Sequence, residues 1–107
     1  QEIERGIMFA NLGFNPMNNG ETIIINVPPL TEERRRDLAK QAKAEVEDAK
    51  VGVRNARKDA NNDLKKLDHI SEDLQKNAEK DVQDLTDQNT KNIDEIFAVK
   101  EKEIMTV

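Results

Sequence analysis

Between residues 31 and 68 apolar positions recur every three or four residues without a break, and that period admits little besides one long helix. At roughly 100° per residue, Leu38, Ala42, Val46, Ala49, Val53, Ala56, Ala60, Leu64 and Leu67 fall on one side. Arg36, Lys40, Lys43, Lys50, Arg54, Arg57, Lys58 and Lys65 fall on a second, about 120° further round. Asp37, Glu45, Asp48, Asp59 and Asp63 crowd a third, and only Glu47 stands among the bases. A helix that needs only solubility intersperses both signs. Sorted charge points instead to one face meeting a polyanion, with a solvated charged face as the competing reading.

The whole-chain charge argues the other way. With 17 basic and 22 acidic residues the net charge is −5, which does not describe a general nucleic-acid binder. Division by region resolves the contrast. Residues 31–68 hold eleven bases and nine acids, whereas residues 69–107 hold five bases and ten acids. Five of the six arginines (Arg34, Arg35, Arg36, Arg54 and Arg57) lie in the middle segment. Arginine suits bidentate phosphate contacts, so any polyanion contact belongs to that segment.

At 107 residues the chain has room for one domain, or for one domain and a piece of a second. Hydrophobic residues make up 36% and aromatic residues 3%, too few for a thick core but enough for the narrow seam of long packed helices. There is no cysteine, hence no disulfide framework, which fits a reducing compartment; a cytoplasmic location is expected. No apolar run approaches membrane-spanning length, so no membrane partner is expected. The chain opens at Gln1, inside what already reads as a helix, and is expected to be part of a longer protein.

The pattern predicts a mainly α fold: a helix–turn–strand remnant of a small α/β domain over 1–27, a hinge over 28–30, and a long antiparallel helical hairpin over 31–107. Residues 2–12 read as a short helix. Gly13 is expected in the left-handed position past its end, with Phe14 folded back onto Phe9. NPMNNGE reads as a turn-rich connector and Glu21–Val27 as a strand whose pairing partners lie upstream. Pro28 and Pro29 break the chain. Thr31 suits the N-cap of the long helix, which is expected to reach about Asp68, roughly 57 Å. His69 and Ile70 make a tight link, and Ser71 caps a last helix. Its apolar spacing runs through Leu74, Ala78, Val82, Leu85, Ile96, Val99 and Ile104, with Asn89 either setting register or facing solvent. So short a link makes the two helices antiparallel. Their one-sided seams call for a third helix.

PPLTEERRRDLAK, VRNARKDAN, HISED, DVQDLTD and the closing KEKEIM resemble the bacterial ribosome recycling factor family, in order and spacing over essentially the whole chain. The resemblance implies an L-shaped parent with a three-helix bundle and a smaller α/β domain. This chain would supply bundle helices two and three. It implies binding to rRNA of the large ribosomal subunit after termination, and subunit splitting with elongation factor G and GTP. It implies no enzyme activity; His69 is the only histidine and there is no cysteine, so a metal site or catalytic triad has little support, and no cofactor is expected. By the same resemblance Val53-Arg54-Asn55-Ala56-Arg57 is the family's RNA-contacting motif, with Arg57 its most critical arginine and Lys58 a position where a second base is usual. Arg36 and Lys50 continue the basic stripe. Arg34 and Arg35 either touch RNA or serve the hinge, the bundle end or solubility. The reading from a different class is an antiparallel coiled-coil tether with no nucleic-acid role. It is disfavoured by the sorted charge and the Ala-rich seam. Without a third helix the chain is expected to self-associate.

Overall fold

The computed structural model describes all 107 residues and divides them into two units, Gln1–Thr31 and Glu32–Val107.

In the first unit, helix α1 (Glu2–Phe9) carries Glu2 and Glu4 in its first turn, where the helix dipole favours acids. It is shorter than the expected 2–12. Asn11 takes the left-handed conformation (φ 52°), and its N–H donates to the Met8 carbonyl at 3.2 Å. Asn tolerates that region because its short polar side chain can bond locally. The helix therefore stops four residues before Gly13, which has positive φ as well (81°). The expected covering of Phe9 is not formed, for Phe9 remains 84% exposed.

The connector is a strand, which corrects the expectation that this chain holds no partner for Ile23–Ile25. Strand β1 (Pro16–Asn18) pairs antiparallel with β2 (Ile23–Ile25) in the register Pro16↔Ile25, Met17↔Ile24 and Asn18↔Ile23. Pro16 is tolerated because it opens the strand, where a missing N–H costs least. Side chains build the turn. Asn18 Oδ1 accepts from the Gly20 N–H at 2.8 Å, and Asn19 Oδ1 accepts from the N–H groups of Glu21 and Thr22 at 3.0 and 2.8 Å. Gly20, at φ 96°, supplies the conformation other residues resist. β1 lies against α1. Ile24 and Ile25 are both exposed, so no two-faced alternation develops on so small a ribbon.

The second unit is the hairpin. Helices α2 (Glu32–Lys65) and α3 (Glu72–Met105) have 34 residues each, about 50 Å at 1.5 Å per residue. Ser71 caps α3, accepting from the Leu74 N–H at 3.1 Å, with Glu72 and Asp73 in the first turn. Three cross-helix pairs set the antiparallel register: Arg35 with Ile104 and Thr106, Lys50 with Asp94, and Arg57 with Gln83. Neither helix is long and apolar enough in any stretch to cross a membrane.

The seam is narrower than the apolar stripes. Half-buried positions are Leu38, Ala42, Val46, Val53, Ala60 and Leu64 on α2, and Ala78, Val82, Ile93, Phe97 and Ile104 on α3. Only Thr86 is buried, at 9% exposure, its hydroxyl turned back onto the Val82 carbonyl. Ala49, Ala56 and Leu67, expected in the seam, are exposed, as are Leu74, Leu85, Ile96 and Val99. One neighbouring helix covers only part of an apolar arc this wide. Asn89 faces solvent and donates to its own helix at the Leu85 carbonyl.

Candidate nucleic-acid interface

The basic residues of α2 lie along one flank of the seam, and their partners separate them into distinct groups. Lys50 is tied down. Its ammonium meets the Asp94 carboxylate at 2.7 Å, and its side chain is only 18% exposed. A charge so placed is largely spent on holding α3. Arg57, two turns further along the same flank, is half-buried rather than clear of the seam as its place in the stripe suggests. Its Nη1 donates to Gln83 Oε1 at 3.2 Å, and Gln83 Nε2 donates in turn to Asp87 Oδ1 at 2.9 Å.

Arg54 and Lys58 are exposed and form no ion pair, and the same holds for Lys40, Lys43 and Lys65. With Arg57 they make a strip of cations facing solvent beside the α2–α3 seam. Arg36 belongs to the strip as well, paired only along its own helix with Glu32 at 3.4 Å. Both groups are well exposed, and such i,i+4 pairs are weak enough for another anion to displace.

The EERRRD run divides by role. Arg35 is half-buried and its Nη1 donates to the carbonyls of Ile104 and Thr106, both at 2.7 Å. Those carbonyls are among the groups a helix C-terminus leaves without intrahelical donors, so Arg35 caps α3 from the facing helix. This contact sets Arg35 at the end of the hairpin. Arg34 is half-buried. Pro28 and Pro29 lie in an exposed stretch without regular structure, at the end of the first unit.

The link of Gln83 and Asp87 to Arg57 is not recognisable from the sequence. The available signal was their i,i+4 spacing inside DVQDLTD, but nothing in that spacing names a partner on another helix. His69 is exposed in the link between α2 and α3. Nowhere do three or more His, Cys, Asp or Glu residues gather so as to hold a metal ion.

Comparison with known proteins agrees with this architecture. The family model described as Ribosome recycling factor matches residues 1–105. The ribosome-recycling factor of Christiangramia forsetii is 72% identical over 106 residues, covering 99% of this chain and 57% of that one. That of Flavobacterium johnsoniae is 66% identical over 109 residues, covering 100% of this chain and 58% of that one. A solved structure, the solution structure of the ribosome recycling factor, superposes with a TM-score of 0.68 at 43% identity, covering 98% of this chain and 56% of that one. The chain thus spans under three fifths of the length of the curated relatives it matches. A match running nearly from end to end, on the fold described above, makes this chain a member of the ribosome recycling factor family.

Proposed function

We propose that this chain supplies the rRNA-binding helical hairpin of a ribosome recycling factor, a translation factor and not an enzyme. In this reading the hairpin meets large-subunit rRNA of the post-termination ribosome through Arg54, Arg57 and Lys58, flanked by Arg36. Elongation factor G, hydrolysing GTP, then drives the subunits apart. Arg35 and Lys50 hold the hairpin together, and Arg34 stands between the two roles. Residues 1–27 belong to the family's smaller α/β domain, Pro28 and Pro29 form the hinge, and 31–107 belong to the bundle.

One observation carries the reading: a strip of cations, most of them exposed and without an ion pair, sorted onto one flank of a helix in a chain whose net charge is −5. A tether gains nothing from such sorting, whereas phosphate neutralisation requires it. The test is binding of the Arg54→Ala/Lys58→Ala variant to purified large subunits over a salt series. The double change should weaken binding at low salt and reduce the slope of log K against log salt by about two. Asp48→Ala, on the acidic face, should alter neither. Wild-type binding by the double variant would return the strip to a solvated surface and favour the tether.

Self-association is a further part of this proposal. Its support is the apolar row Leu74, Leu85, Ile96 and Val99, which α2 leaves exposed.

A further inference from the structure

Segment 81–87, DVQDLTD, is among the most recognisable words of the chain, yet the interface reading gives it no task. The hairpin brings it opposite Arg57. Val82 lies in the seam, Thr86 is the one buried residue, and Gln83 and Asp87 stand on the flank that α3 shares with the basic strip.

We propose that Gln83, oriented by Asp87, is a positioning residue that presents Arg57 to the polyanion with its charge intact. The inference rests on the interface reading and adds a component to it. A built-in comparison supports it. Lys50 and Arg57 lie two turns apart on α2 and both reach across to α3, but Lys50 meets a carboxylate and Arg57 meets an amide. A carboxylate neutralises the cation it holds. An amide oxygen fixes the guanidinium geometrically and leaves the positive charge for a phosphate. Arg57 uses one Nη1 hydrogen bond on Gln83, so most of its five N–H donors stay available.

Asp87 determines which end of the amide faces Arg57. An ionised carboxylate only accepts hydrogen bonds, so the Gln83 NH₂ must turn towards Asp87, at 2.9 Å. The amide oxygen is then left for the guanidinium. The reversed amide would set NH₂ against the Arg57 guanidinium, donor against donor, and the amide oxygen against the Asp87 carboxylate. Asp87 thus acts on Arg57 through an intervening neutral group and does not pair with it. Holding the long Arg side chain before binding lowers the entropy lost when RNA is met.

The test compares Gln83→Glu, Gln83→Ala and Arg57→Ala in binding to purified large subunits over a salt series, with thermal melts alongside. Gln83→Glu keeps the shape and adds a charge. It should bind about tenfold more weakly, close to Arg57→Ala, and lose about one unit of salt slope, without a lower melting temperature. Gln83→Ala should keep the slope and lose only a few-fold in affinity. The ¹⁵N relaxation of the Arg57 Nε–H in the free chain supplies a measurement independent of RNA. It should report an ordered side chain in the wild type and a mobile one in Gln83→Ala. Weak binding by Arg57→Ala with wild-type binding by Gln83→Glu overturns the positioning role and leaves the interface standing. Wild-type binding by Arg57→Ala overturns the interface, and the positioning role with it. An Arg57 equally mobile in wild type and Gln83→Ala also overturns the positioning role.

Discussion

The three consecutive arginines of α2 show how neighbouring residues of one type come to do different work. Successive helical positions turn by about 100°, so Arg34, Arg35 and Arg36 point in three directions. Arg36 faces solvent on the basic flank, while Arg35 reaches the carbonyl end of α3. That second role needs the length of the link and the register of the hairpin, neither of which is written at residue 35. Periodicity assigned Arg57 to the basic flank but not its half-burial. The exposure of Ala49 and Ala56 shows that α3 packs nearer the bases than the centre of the apolar stripe suggests. The Arg35 cap carries a prediction. Arg35→Ala strands two carbonyls, one of them part-buried, and should cost about 1–2 kcal/mol of hairpin stability. Amide exchange should quicken first at Thr106, whose N–H bonds to the Lys102 carbonyl at 3.0 Å. The salt dependence of subunit binding should stay as it was, since this guanidinium is turned to the end of α3 and away from the exposed basic strip. A change in salt slope with no loss of stability would return Arg35 to the interface.

At the scale of elements, legibility follows periodicity. The helices α2 and α3 repeat their pattern over many turns and carry strong end signals, such as Ser71 with Glu72 and Asp73, so their extents were readable to within a few residues. The strand β1 has three residues, one of them a proline, and no alternation long enough to register. Its existence depends on the turn that follows, where Asn18, Asn19 and Gly20 bend the chain back and leave Met17 opposite Ile24. Turn residues are visible in the sequence, but no pattern within so short a connector shows that it pairs with the strand after the turn. The turn should therefore control the ribbon. Gly20→Ala meets open space for its Cβ, yet φ 96° is costly for any residue with a side chain. It should destabilise the ribbon by about 1 kcal/mol and speed amide exchange across Ile23–Ile25, with α2 and α3 unaffected. Unchanged exchange would mean that the ribbon is held by something other than its turn.

For the whole molecule, the decisive quantity is how little the hairpin buries. No hydrophobic side chain is fully buried, although both helices carry an apolar stripe along their length. On α3 the residues turned away from α2 include Leu85 at 60% exposure and Ile96 at 70%. These side chains recur at eleven-residue spacing with Leu74, which keeps them in one row along the helix. Successive members stand about 16 Å apart at 1.5 Å per residue, so the row offers another helix apolar contacts at intervals along its length. Apolar burial is worth roughly 25 cal/mol per Å², so covering the row along several turns would outweigh the ordering of surface side chains. In a solution of this 107-residue chain alone, another copy is the available cover, and two hairpins pairing into a four-helix arrangement bury both rows at once. Light scattering should therefore give at least a dimer at high concentration, with a melting temperature that rises with protein concentration. Replacing Leu85 and Ile96 together by Gln should return the chain to a monomer and remove the concentration dependence, leaving the α2–α3 pairs Lys50–Asp94 and Arg57–Gln83 in place. A compact monomer at high concentration, fully helical and melting sharply, would show instead that the narrow α2–α3 seam is sufficient by itself.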